Sequence, residues 1–91
     1  MSFKEDVLEE VSIDELLGNN NEIILFNDDH NTFDHVIKSL INICKHTPIQ
    51  AEQCSLIVHY NGKCGVKTGS VKELQPMCSK LQDAGLSAEI Q

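Results

Sequence analysis

Ninety-one residues with 41 % hydrophobic content can bury one modest core, and the absence of Trp leaves that core to Ile, Leu, Val and Cys. The net charge of −7 without a basic stripe excludes nucleic acid and anionic membrane as expected partners. No apolar run approaches the roughly 18 residues a membrane helix needs, and no apolar signal core follows Met1-Ser2-Phe3-Lys4, so a soluble cytoplasmic protein is expected.

Residues 1–21 hold six acids against Lys4, a net −5, while residues 22–91 carry only −2. Leu8, Val11 and Leu16 offer a weak apolar stripe, but the surrounding acids favour a mobile tail. Gly18-Asn19-Asn20-Asn21 then neither packs nor propagates a helix. The expected division is a flexible acidic extension over 1–21 and a core domain over 22–91.

Ile23-Ile24-Leu25-Phe26 reads as a buried strand that stops at Asn27-Asp28-Asp29. Asn31 offers an N-cap with Asp34 three residues on, and a helix is expected from about Thr32 to Lys45. A helix start normally attracts anions, but here the protein's own carboxylates occupy it and the dipole helps keep them ionised. Such a corner repels phosphate and attracts a cationic group.

Phe33, Val36, Ile37, Leu40, Ile41 and Cys44 are spaced as one face of that helix. His46-Thr47-Pro48 ends it, and Thr47, Pro48 and Gln50 form a capping box that opens a second helix. Ala51, Cys54, Ile57 and Val58 are its expected inner residues. Leu56-Ile57-Val58-His59-Tyr60 is strand-like and Asn61-Gly62 is a hairpin signal, but no breaker precedes Asn61 and Gly62 suits a helix end. The balance favours a helix over 48–60 and a strand over about 63–68. Ser70 and Glu73 box a third helix with Val71, Leu74, Cys78 and Leu81 inside and Pro76 close to its first turn; Gly85 stops it. Leu86, Ala88 and Ile90 alternate with polar residues as a last strand. The expected fold is an α+β sandwich of order β-α-α-β-α-β, a three-stranded antiparallel sheet packed on three helices.

Chemistry-bearing residues are few. Cys44, Cys54, Cys64 and Cys78 include no C-x-x-C pair and are expected as free thiols, with no zinc site. His59, with Asp28 and Ser55, Cys54 or Cys64, makes only a sketch of a hydrolase, lacking a nucleophile elbow or an oxyanion loop. The calcium-loop pattern fails for want of its Gly and late Glu, and no phosphate-binding Gly motif occurs. No enzyme activity, cofactor or metal is expected.

Asn27-Asp28-Asp29 with its following helix, and the segment Val58-His59-Tyr60-Asn61-Gly62-Lys63, together resemble the ClpS adaptors of the Clp protease over about residues 22–91. The resemblance also implies a helix through His59. It implies recognition of N-degrons, proteins whose first residue is Leu, Phe, Tyr or Trp. The family's loop Asn and Asp and its helix His hold the substrate's α-amino group; those positions are Asn27, Asp28 and His59 here, with Asp29 adding negative field. Phe33, Val36, Ser55, Val58 and Leu86 stand at the positions of the apolar pocket. The implied partner is the N-terminal domain of a ClpA- or ClpC-type AAA+ unfoldase, approached by a monomeric adaptor whose N-terminal extension helps hand the substrate over.

This chain departs from the pattern at Asn31, where Thr is usual, and at Phe33 and Ser55, where Met is common. The Lys63-Cys64-Gly65 turn is also about two residues shorter than in many relatives. Other classes remain open: an interaction domain of the same fold without an amine site, like the C-terminal domain of a ribosomal stalk protein, or a small metal-dependent enzyme using Asp28, Asp29 and His59.

Overall fold

Three consecutive buried residues, Ile23, Ile24 and Leu25, set the centre of the molecule. A computed structural model describes residues 21–91 and orders them as β1 (Asn21–Phe26), α1 (Phe33–Cys44), α2 (Pro48–Asn61), β2 (Lys63–Gly69), α3 (Val71–Asp83) and β3 (Ser87–Ile90). The sheet runs β2-β1-β3 with both pairings antiparallel, so β1 is its middle strand. The architecture is the expected one. Asn21, expected in the boundary tract, instead opens β1 opposite Gly69; the rest of the acidic extension lies outside the described residues.

The apolar layer joins Ile23 and Leu25 of β1, Val66 of β2 and Ala88 of β3 to Leu40 and Cys44, Ala51 and Val58, and Leu74, Cys78 and Leu81 of the three helices. The helices thus share one face of the sheet, which closes a two-layer core. Both expected capping boxes are present, at Thr47/Gln50 and Ser70/Glu73. α2 continues through Leu56–Tyr60, and Gly62 closes it at φ +94°, its N–H bonded to the Val58 carbonyl at 2.9 Å. That excludes the hairpin alternative. α3 passes through Pro76 unbroken.

Four sequence expectations shift. Ile57 and Val71 are exposed rather than inward, and Phe33 lies at the rim with 43 % of its surface open. The N-cap of α1 is Thr32, whose Oγ1 accepts the His35 N–H at 3.1 Å, and not Asn31. His46 is buried, and its Nε2 donates to the Val66 carbonyl at 2.7 Å. Val66 is the extra residue of a bulge, since Ile23 faces Lys67 while Ile24 faces Gly65. The imidazole therefore pins the turn after α1 to the one place where the β2 ladder is interrupted.

α1 ends on Lys45 in the left-handed region, φ +63°. A side chain there costs roughly 1 kcal/mol that Gly does not incur. Lys45→Gly, at an exposed position, should therefore raise the unfolding free energy by about 0.5–1 kcal/mol with an unchanged urea m-value. A loss of stability would show that the Lys45 side chain makes up for its backbone.

Candidate functional site

The sheet places the site. β1 ends at Phe26, which faces Lys63 and Ser87, so both neighbouring strands begin where β1 stops. The residues just before them are the end of α2 and the Gly85-Leu86 turn. The Asn27 N–H donates to the Gly62 carbonyl at 2.9 Å, fastening the loop to the end of α2 that carries His59.

Asp28 then turns back on its own loop. Its Oδ1 accepts the backbone N–H groups of His30 (2.9 Å) and Asn31 (3.1 Å). The Asn31 side-chain amide reaches both carboxylate oxygens, at 3.1 and 3.0 Å, and the Gly85 carbonyl at 2.9 Å. The Ser87 hydroxyl stands 3.4 Å from Oδ2. These contacts explain why Asn31 does not cap α1: its side chain is committed elsewhere, and Thr32, next in line, caps instead. Desolvation pushes the Asp28 carboxyl up, but the hydrogen bonds from His30, Asn31 and Ser87 together outweigh it and hold the group below the usual aspartate value.

Between the end of β1 and its loop, α1, α2 and the turn before β3 lies a cleft of about 360 Å³. All nine residues singled out from the sequence line it. Asn27, Asp28, Asp29 and His59 form a polar end, and Phe33, Val36, Ser55, Val58 and Leu86 an apolar one. Val58, Leu86 and Ser55 are buried, and Val36 is half-buried. The Phe33 ring meets the His59 imidazole at 5.2 Å and 54°, and Tyr60 meets it edge-on at 4.8 Å. The imidazole thereby contacts two aromatic rings.

Sequence reasoning missed Leu25, Phe26, Asn31 and Thr32 as lining residues. Leu25 and Phe26 could have been found from the strand, whose last residues must border whatever its end opens into. Asn31 could not, because the contact that defines it spans 54 positions to Gly85.

The hydrolase sketch gains nothing from this geometry. The Ser55 hydroxyl donates to the Ala51 carbonyl at 2.8 Å within its own helix. Burial pushes the thiols of Cys44 and Cys64 up to about 11, with the neighbouring Cys54 adding to the effect at Cys64, and burial raises Cys78 as well. Such thiols stay protonated and poorly nucleophilic at neutral pH. Among the described residues, no group of three or more His, Cys, Asp or Glu side chains is placed to hold a metal ion. No helix of the described residues is long and apolar enough to cross a membrane.

Residues 18–89 match the family model described as ATP-dependent Clp protease adaptor protein ClpS. The ATP-dependent Clp protease adapter protein ClpS of Campylobacter jejuni is 36 % identical over 76 residues, covering 77 % of this chain and 79 % of that protein. Its counterpart from Nitratidesulfovibrio vulgaris is 40 % identical over 53 residues, 56 % of this chain and 53 % of that protein, so this match spans about half the relative's length. In fold, the chain superposes on Agrobacterium tumefaciens ClpS2, solved bound to L-phenylalaninamide, with a TM-score of 0.75 at 16 % identity, covering 78 % of this chain and 93 % of that one.

The lowered Asp28 pKa has a measurable consequence. Its carboxylate contributes stability above the ordinary value of about 3.9 and loses that contribution as pH falls through the lowered value. On acidification the His30 and Asn31 amide resonances should move together with a midpoint below 3.9, the ordinary aspartate value. A midpoint at or above it would show that the carboxylate is not held by these donors.

Proposed function

The chain belongs to the ClpS family of ATP-dependent Clp protease adaptors, and from that membership we propose that its cleft binds the first residue of N-degron substrates and presents them to a Clp unfoldase. The observation that carries this reading is the pairing, in one cleft, of an ionised and pre-fastened carboxylate with an apolar pocket. Asn27, Asp28 and His59 receive the substrate's α-amino group, and Asp29 adds negative field. The first side chain, Leu, Phe, Tyr or Trp, enters between Phe33, Val36, Ser55, Val58 and Leu86. The phenylalanine amide held by the Agrobacterium relative carries a free amine and an aromatic side chain, the same two features. Binding is non-catalytic, and the partner is the N-terminal domain of a ClpA- or ClpC-type unfoldase in the cytoplasm, with the acidic residues 1–21 taking part in the hand-over.

The chemistry that separates a first residue from an internal one is charge. A terminal ammonium carries three donors and a full charge, an internal amide one donor and none, and each charge-assisted bond contributes roughly 1.5–3 kcal/mol. A peptide beginning with Leu or Phe should therefore bind at least about tenfold more tightly than its N-acetylated twin. Asp28→Ala and His59→Ala should weaken the free-amine peptide with the fold retained. Fluorescence titration of both peptides against the parent protein decides the matter: equal binding would leave an interaction domain without an amine site.

Ser55 sets the range of side chains. It is buried and its hydroxyl is satisfied within α2, so it presents a small wall where a Met would crowd the cleft. A methylene in an apolar pocket discriminates by about 1–3 kcal/mol, so the smaller wall relaxes preference without inverting it. Peptides starting with Ile or Val should bind alongside Leu and Phe, and Ser55→Met should penalise Ile and Val more than Leu. A parent that already rejects Ile and Val as strongly as the Met variant would show that Phe33 closes the space.

A further inference from the structure

Asp28 takes its hydrogen bonds from its own loop and from Ser87 of β3, and one side chain, Asn31, makes two of them. The Asn31 amide nitrogen carries two hydrogens. It lies 2.9 Å from the Gly85 carbonyl and 3.1 and 3.0 Å from the two Asp28 oxygens. One hydrogen therefore serves Gly85 and the other is shared across the carboxylate. The two backbone N–H groups already on Oδ1 bring that oxygen to three donors, which exhausts its lone-pair directions. Oδ2 accepts only the shared amide hydrogen and the long contact from Ser87. The 3.4 Å contact from Ser87 is the weakest on the carboxylate, so Oδ2 is the oxygen that can exchange it for a stronger donor.

Asn31 is not needed to start α1, because Thr32 caps it. Its second bond acts on the far side of the cleft. Gly85, at φ +91°, holds a backbone conformation that side chains rarely adopt, and it leads directly into Leu86 of the pocket. The same turn is gripped one residue earlier, where His35 Nε2 lies 2.7 Å from the Ala84 carbonyl. The turn that delivers Leu86 is thus attached to α1 through His35 and to the carboxylate loop through Asn31.

We infer that Asn31 is a positioning residue that fixes the Asp28 carboxylate so that Oδ2, its less occupied oxygen, faces an incoming ammonium, and ties it at a set distance from the Leu86 side of the apolar pocket. The inference rests on the amine-binding reading above and extends it to a side chain that need not touch the ligand. Without the Asn31 side-chain amide, Asp28 keeps its Asx-turn bonds from the backbone N–H groups of residues 30 and 31 but loses the restraint on its second oxygen, and the Gly85 carbonyl loses its partner.

The test uses the full chain with Asn31→Ala, Asn31→Ser and, as a structural control, His35→Ala. Two readouts are taken: affinity for a Leu-initiated peptide with a free or acetylated amine, and the pH titration of the Asp28 carboxyl carbon by NMR. Asn31→Ala should bind the free-amine peptide about tenfold more weakly, the share of one charge-assisted hydrogen bond, and bind the acetylated peptide as the parent does. Its Asp28 should titrate at higher pH than in the parent, because a donor that favours the ionised form has gone. Asn31→Ser, with one donor in place of two, should fall between and supplies the comparison should the Ala variant not fold. His35→Ala should leave the Asp28 titration where it was. The variants at position 31 keep Asp29 and His30 of the loop, His35 of α1 and His59 of α2, so these groups do not account for a difference from the parent. Parent-like affinity or an unmoved Asp28 in the position-31 variants overturns the role given to Asn31. A parent that does not separate free from acetylated peptide overturns the adaptor reading itself, and with it the purpose of the clamp.

Discussion

Antiparallel pairing on both sides of β1 is the constraint from which the site follows. Phe26 is opposite Lys63 and Ser87, so the sheet ends β1 and starts β2 and β3 at one edge. Three separate stretches must converge there: the loop after β1, the last turn of α2, and the turn before β3. Each brings one kind of residue, the carboxylates and amide of Asn27–Asn31, the imidazole of His59, and the apolar Leu86. A polar corner beside an apolar pocket is thus a product of strand order, and the loops only refine it.

Much of this was legible because local signals agreed. The caps at Thr47 and Ser70 rest on side chain to backbone bonds within three residues, and sequence reasoning handles that range well. α2 was the hard case. Ile49, Leu56, Ile57 and Tyr60 lie on its open side, so apolar residues run all round it and periodicity could not separate helix from strand. Its start signal and the absence of a breaker decided correctly. The inward assignment of Ile57 failed for the same reason that periodicity did. Ser55, assigned to the apolar pocket despite its hydroxyl, can be buried because that hydroxyl is satisfied within the helix, and burial follows hydrogen-bond satisfaction as well as residue type.

The remaining features depend on contacts between distant parts of the chain. Asn31 had the composition of an N-cap, and a carboxylate beside it and a carbonyl 54 positions away outbid the helix for its side chain. His46 lies in the turn that ends α1, and it is buried where a bulge at Val66 offers its carbonyl. Such competition is settled by tertiary geometry. The gathering of all nine candidate residues along one cleft was nonetheless legible, through the family resemblance for their grouping and through the strand-loop-helix pattern for the charged corner.

The make-up of the cleft also has an energetic consequence. Burying a Leu or Phe side chain contributes about 1.5–3 kcal/mol, and a charge-assisted bond to the corner roughly the same. Association costs on the order of 4–15 kcal/mol in lost freedom, so neither end of such a cleft can hold a ligand alone. An apolar side chain inside a polypeptide brings the pocket term without the charge, and a terminal amine on a small or acidic residue brings the charge without the pocket term. Only a ligand that engages both ends, with more than one bond at the corner and the correct spacing, offsets that cost. Spacing then becomes a source of selectivity in its own right, because the two contributions combine only while the corner and the pocket keep a fixed separation. In this chain that separation is set by the sheet edge, by the Asn27–Gly62 bond on one side of the cleft, and by the Asn31–Gly85 bond on the other.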